Sequence, residues 1–222
     1  MHTVLQMVLY ALIAAASPFA LTATVAVLKS HLARLNGLIF AGAFVLGEGI
    51  GWIFALALGS VLGIGTGDHK VAAAFELALG VLLLLTALQV HRGVIAGGPQ
   101  GSSRATALLG RLEHLRPFTA FWIGTLLGIG IPKRLTITIV AAAALKAAGF
   151  GPVENLLLIL VYMATAAVLV WVPVAIYVVA GPRADNLLDS GQEWLASNQR
   201  PVTLYSLLVF GALLVFDGLI KL

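Results

Sequence analysis

The sequence predicts an all-α membrane protein of six transmembrane helices, built as two inverted-topology repeats of three helices each. Three observations carry that reading. The 222-residue chain is 60% hydrophobic and 10% charged, whereas a soluble domain carries roughly 25% charge. Its apolar residues gather into six runs, each near or above the ~20 residues needed to cross a bilayer. The motif P-x-x-L-T-x-T, followed by a β-branched residue, occurs once in each half, from Pro18 to Val25 and from Pro132 to Ile139. The period-2 alternation of a membrane barrel is absent, and helices satisfy every backbone group within one segment.

The runs fall at 4–28, 37–64, 70–91, 118–146, 153–180 and 202–220. The first is too long for a leader h-region and lacks a basic n-region, so it reads as a span. The second, fourth and fifth exceed a straight span and require tilt or interruption. Residues 1–92 form the first three-helix repeat, 93–117 a cytoplasmic linker and 118–222 the second repeat. The linker begins with the flexible stretch Gly97 to Ser103 and continues through Arg104, Arg111, Glu113, His114 and Arg116. Residues 183–200 mix Leu187, Leu188, Trp194 and Leu195 with Asp185, Asp189, Gln192 and Glu193. That mixture fits a helix lying at the inner interface, with a polar loop as the plainer alternative.

Basic residues set the orientation. With both termini outside, the inner loops hold Lys29, Arg34, Arg92, Arg104, Arg111, Arg116, Arg183 and Arg200, and the outer segments hold Lys70, Lys146 and Lys221. The net charge of +4 is therefore an orientation signal, not a nucleic-acid footprint. The Ala/Leu/Val/Gly bias points to a bacterial gene, and the expected location is the bacterial cytoplasmic membrane.

Pro18 and Pro132 each lie about 20 Å into their span at 1.5 Å per residue. Proline is tolerated in the first turn of a helix, where its missing N–H is not needed. Spans 1 and 4 are thus expected to be broken there, each proline starting a half-helix whose positive end points toward the centre. Ser17 would cap the first half-helix, and Gly128 and Gly130 would loosen the chain before the second. Thr22, Thr24, Thr136 and Thr138 lie within two turns of the breaks. They would bond freed carbonyls or a ligand.

Three charges fall inside spans. Lys133 and Arg134 each cost about 2.5–3.5 kcal/mol at a helix centre, and adjacent helical positions diverge by about 100°. Glu48, in Gly47-Glu48-Gly49 of the second span, must pair with a cation or carry a proton; either Lys133 or Arg134 would serve. One carboxylate against two cations and two helix starts leaves the centre positive, suited to a phosphate, sulfate or carboxylate. Glu76 and Asp217 read as interfacial. The histidines at 2, 31, 69, 91 and 114 have no metal-ligand spacing. The pairs Gly47/Gly51, Gly59/Gly63 and Gly124/Gly128 permit close helix approach. With no cysteine, no nucleotide loop and no catalytic constellation, neither a cofactor nor an enzyme activity is expected.

The chain resembles the six-span exporters of the LysE-type superfamily, and within it the Gap/Sap group, which addresses peptidoglycolipids and sulfolipids. The resemblance rests on Ala16-Ser17-Pro18 with Leu28-Lys29-Ser30, the Gly-rich stretch Gly42 to Gly51, the Pro132-Lys133 break and the Trp194 segment. It implies paired proline breaks at Pro18 and Pro132, an acid after glycine at Glu48, and export of a solute or lipid. The combined expectation is an exporter or flippase for an anionic amphiphile, a cell-envelope lipid or glycolipid. Substrate contacts would come from Lys133, Arg134, Ser17, Pro18, Thr22, Thr24, Pro132, Thr136 and Thr138, with Glu48 as the ion-coupling residue. Export of amino acids or small ions, and a non-transporting accessory subunit of a lipid-export complex, are the alternatives. Expected partners are membrane lipids, a coupling proton, and a second copy or envelope lipid-export machinery, with no nucleic acid.

Overall fold

A computed structural model describes residues 2–15, 18–61, 69–93, 115–130 and 132–221. The described residues are almost wholly helical and contain no strand. Ser17, the Gly63 partner of Gly59, and most of the 93–117 linker with His114 lie outside them, as do the side chains of Pro18, Glu76, Pro132, Lys133, Thr136 and Asp217.

The first two helices, α1 (His2–Ala15) and α2 (Pro18–Leu28), are the halves of the first apolar run. They are bent by 60° at a break that ends on Pro18, the first residue of α2, where a missing N–H costs nothing. Helix α3 (Ala33–Val61) runs unbroken for 29 residues. Helix α4 (His69–His91) closes the first half. The fourth run divides into α5 (Pro117–Ile129) and α6 (Pro132–Ala147), again with proline starting the second piece. Gly130, between them, has φ +104°, a conformation that side-chain-bearing residues rarely adopt.

The fifth run is also interrupted, as α7 (Pro152–Ala166) and α8 (Val168–Ala180), bent by 67°. The break falls at Ala167, one and a half turns before Pro173. The Trp171 indole N–H donates to Ala164 O at 2.8 Å, satisfying a carbonyl at the bend. A 3₁₀ turn over Gly181–Ala184 leads into α9 (Asp185–Ser197), and α10 (Gln199–Lys221) ends the chain. Residues 185–197 are therefore a helix, not a loop. Leu188 seats it against Val25, Leu28 and Val174, and Asp189 pairs with Lys29 at 2.6 Å, while Leu187 and Trp194 stay exposed.

Among the described residues, by length and apolarity, Ala33–Leu58 alone is long enough to cross a membrane, and up to three segments are if each bent pair is one span. The break before Pro132 leaves the fourth run in two pieces, Pro117–Ile129 and Ile137–Ala147, each shorter than the ~20 residues of a straight span.

Two glycine crossings draw the helices together. A Cβ at Gly47 would strike Thr125 O and Ile129 N, and one at Gly128 or Gly124 would strike the carbonyls of Phe44 or Phe40. Helices α3 and α5 thus pack backbone to backbone, as the small-xxx-small spacings predict, within the chain. On the other side α4 meets α10, where Gly80 and Gly211 face each other's carbonyls.

Contacts at helix ends hold several of the described basic residues. Asn36 at the start of α3 donates to Leu115 O before α5, at 2.9 Å, and to Ser30 Oγ at 2.8 Å. Arg34 approaches Gly181, and Arg200 Nη2 donates to His91 O at 3.0 Å. Lys146 Nζ donates to Leu56 O at 3.1 Å.

Candidate functional site: a buried ion pair at the start of a half-helix

Phe44, Glu48 and Trp52 repeat every four residues along α3 and so share one face. All three are buried, Glu48 at 2% exposure. Arg134 and Thr138 repeat likewise on α6, and both are buried. Tyr162 of α7, fully buried, supplies the third wall. The site lies between two apolar clusters. One holds Trp52, Ile137, Val140 and Tyr162, the other Ala20, Ala23, Phe40, Phe44 and Val170.

Arg134 Nη2 donates to Glu48 Oε1 at 2.9 Å. Arg134 is thus a partner of the acid, as one of the two expected cations; the side chain of the other, Lys133, lies outside the described residues. Its guanidinium carbon also sits 4.6 Å from the Phe44 ring centre, within cation–π range. Arg134 is the third residue of α6, where the helix dipole disfavours a cation and favours an anion. Glu48 thus answers the guanidinium and the helix start together. Gly130 completes the seat, since a Cβ there would lie 3.1 Å from Arg134 Cβ.

The pair is joined by a single bond, not a fork. Among the described residues Glu48 Oε2, Arg134 Nε and Trp52 Nε1 are buried with no hydrogen-bond partner. A bidentate arrangement would match more of these groups, so donor and acceptor capacity remains at the centre. Below it, Thr138 Oγ1 donates to Arg134 O at 3.0 Å and lies 3.2 Å from Tyr162 Oη. A hydroxyl has one proton, so Tyr162 is the donor to Thr138. The Tyr162 ring meets Trp52 edge to face at 5.0 Å.

Of the residues predicted from sequence, the structure brings together Glu48, Arg134 and Thr138. Pro18 and Pro132 start helices as expected. Thr24 is buried, with its hydroxyl bonded to Ala20 O of its own helix at 2.7 Å, and Thr22 is half-buried. Ser17 and the side chains of Lys133 and Thr136 lie outside the described residues. The sequence reading missed Phe44, Trp52 and Tyr162. The four-residue spacing of Phe44 and Trp52 about Glu48 was the available signal for the first two. Tyr162 had none.

Apolar, broken helices packed around a buried charge pair mark a membrane protein. The family described as Sap, sulfolipid-1-addressing protein, matches residues 7–220. The chain belongs to that family, and with it to a lipid-related class of membrane proteins. No curated protein and no solved structure matches it.

Proposed function

We propose that this protein is an exporter or flippase that carries an anionic amphiphile, a sulfated or otherwise acidic envelope lipid, across the bacterial cytoplasmic membrane. The observation that carries the proposal is the Arg134–Glu48 pair, 2.9 Å long and buried at the start of a half-helix in an apolar chain. Ionisable groups at membrane depth mark substrate and ion pathways, and helix starts in broken spans favour anions. The family's description, sulfolipid-1-addressing protein, names a lipid of that chemistry.

Six spans in two inverted repeats, 1–92 and 118–222, accommodate the contacts. Exchanging the two halves maps α1/α2 onto α5/α6, α3 onto α7/α8, and α4 onto α10. Helix α3 packs on α5 and α6, and its counterpart α7/α8 packs on α1 and α2; α4 and α10 pack on each other. The common end of Arg34, Arg200 and Lys29 supports a cytoplasmic face there, with both termini outside. In this reading Arg134 and Lys133 hold the acidic headgroup, Pro132 and Pro18 keep the half-helix starts open, and Thr138 and Tyr162 steady Arg134. Glu48 holds Arg134 between cycles and is the site of proton coupling. The surplus positive charge comes from Lys133, because Glu48 matches Arg134.

The test is translocation of a fluorescent sulfated amphiphile in liposomes containing the pure protein. Wild type should expose it in the opposite leaflet, and Lys133→Gln with Arg134→Gln should abolish that while the protein stays folded. Unchanged translocation in that variant would refute the proposal. Failure of the wild-type protein alone would favour an accessory role.

A further inference from the structure

A groove of about 490 Å³ runs between α4 and α10, within the roughly 300–1,000 Å³ of ligand-binding pockets. Its α4 wall is Val81, Leu84, Leu85 and Leu88, and its α10 wall is Leu204 and Leu208. These positions form one helical stripe on each side. Most are open to the surroundings, Leu85 at 52% and Leu208 at 41%. The lone polar lining residue is His91, at one end. Arg200 lies on the same stripe as Leu204 and Leu208, and its guanidinium reaches His91 O at 3.0 Å. Arg92 follows His91, and both arginines are exposed. Among the described residues neither has a carboxylate within ion-pair distance.

The dimensions fit a lipid tail. From Val81 to His91 the groove extends about 15 Å along α4, half the ~30 Å hydrocarbon core, so it is one leaflet long. In the orientation proposed above, on which the headgroup side rests, its charged end faces the cytoplasm. Basic pockets between membrane helices on that side take anionic headgroups.

We propose that this groove is a second lipid site, separate from the ion-pair centre. It holds one acyl chain of an anionic phospholipid of the cytoplasmic leaflet, with the phosphate against Arg92 and Arg200. The site does not depend on the transport reading, since it shares no residue with the ion-pair centre.

Native mass spectrometry of the full-length protein released from nanodiscs of equimolar phosphatidylglycerol and phosphatidylcholine tests this. The phosphatidylglycerol adduct should predominate. Arg92→Gln and Arg200→Gln should each lower that preference about fivefold. Arg200→Lys should keep the preference, which separates loss of charge from loss of the contact with the α4 carbonyls. Leu85→Trp should fill the groove and remove the adduct while helix content is unchanged, and Arg134→Gln should leave the adduct intact. Equal retention of the two lipids, or a protein dimer in place of the adduct, would overturn the proposal. So would a preference that survives the double arginine substitution, or an adduct lost in Arg134→Gln.

Discussion

Replacing Glu48 by leucine would strand a guanidinium that cannot shed its proton. Arg134 would keep its cation–π contact with Phe44, 4.6 Å away, but lose the only anion bonded to it among the described residues, at 2.9 Å. Breaking a buried pair by removing one partner costs about 3–5 kcal/mol, while replacing both partners by apolar groups is often near neutral. Glu48→Leu should therefore fall in that range and Arg134→Leu near its lower end, because a stranded glutamic acid can take up a proton. The double variant should recover most of the loss. Glu48→Gln should cost less than Glu48→Leu, since an amide oxygen can still accept from Nη2. Equilibrium unfolding in mixed micelles, followed by helix circular dichroism, gives the four corners of the cycle. Single effects that add to within about 0.5 kcal/mol would mean that the two residues are not coupled, and the geometry argued for the centre would be wrong.

Other consequences are testable separately. Gly128→Ala and Gly47→Ala place a methyl on the backbone of the facing helix and should each cost at least the 1–3 kcal/mol of overpacking. Gly42→Ala, with nothing within 4 Å of its Cβ, should be neutral or slightly stabilising, all three read by thermal melts. Tyr162→Phe keeps the edge contact with Trp52 but removes the donor to Thr138, and should cost about 1 kcal/mol. Asn36→Leu deletes the bonds to Leu115 O and Ser30 Oγ and should cost about 1–3 kcal/mol, read by melting. Lys29→Gln breaks an ion pair whose side chains are 53% and 41% exposed, so its effect should stay within about 0–1 kcal/mol and vanish in high salt.

The helix starts at Pro18 and Pro132 were legible because proline lacks an N–H and must sit where none is needed. Close helix approach was legible from the four-residue spacing of Gly47, Gly51, Gly124 and Gly128, but that α3 meets α5 there comes from the structure. The partner of Glu48 was not. Adjacent positions on a helix diverge by about 100°, and which of two neighbouring cations meets α3 depends on how α6 is rotated in the bundle. The α7–α8 bend was legible only as excess length. It falls at Ala167, a residue type that favours helix, and Pro173 lies six residues further on. Tyr162 was hidden because a single tyrosine in an apolar run gives no periodic cue. Only the fold brings its hydroxyl to Thr138. The basic loops gave an expected orientation, and Arg104 and Arg111, which count toward it, lie outside the described residues.

The central claim is that an acidic lipid headgroup is held where Arg134 meets Glu48. A sulfated amphiphile with a photoreactive group beside the sulfate tests it most directly, applied to the pure protein in lipid and mapped by peptide mass spectrometry. The label should fall on residues 44–52 and 132–138, be displaced by unlabelled sulfated amphiphile, and be lost in Arg134→Gln. Label confined to the α4–α10 groove, or spread over the surface and undiminished by competitor, would contradict it.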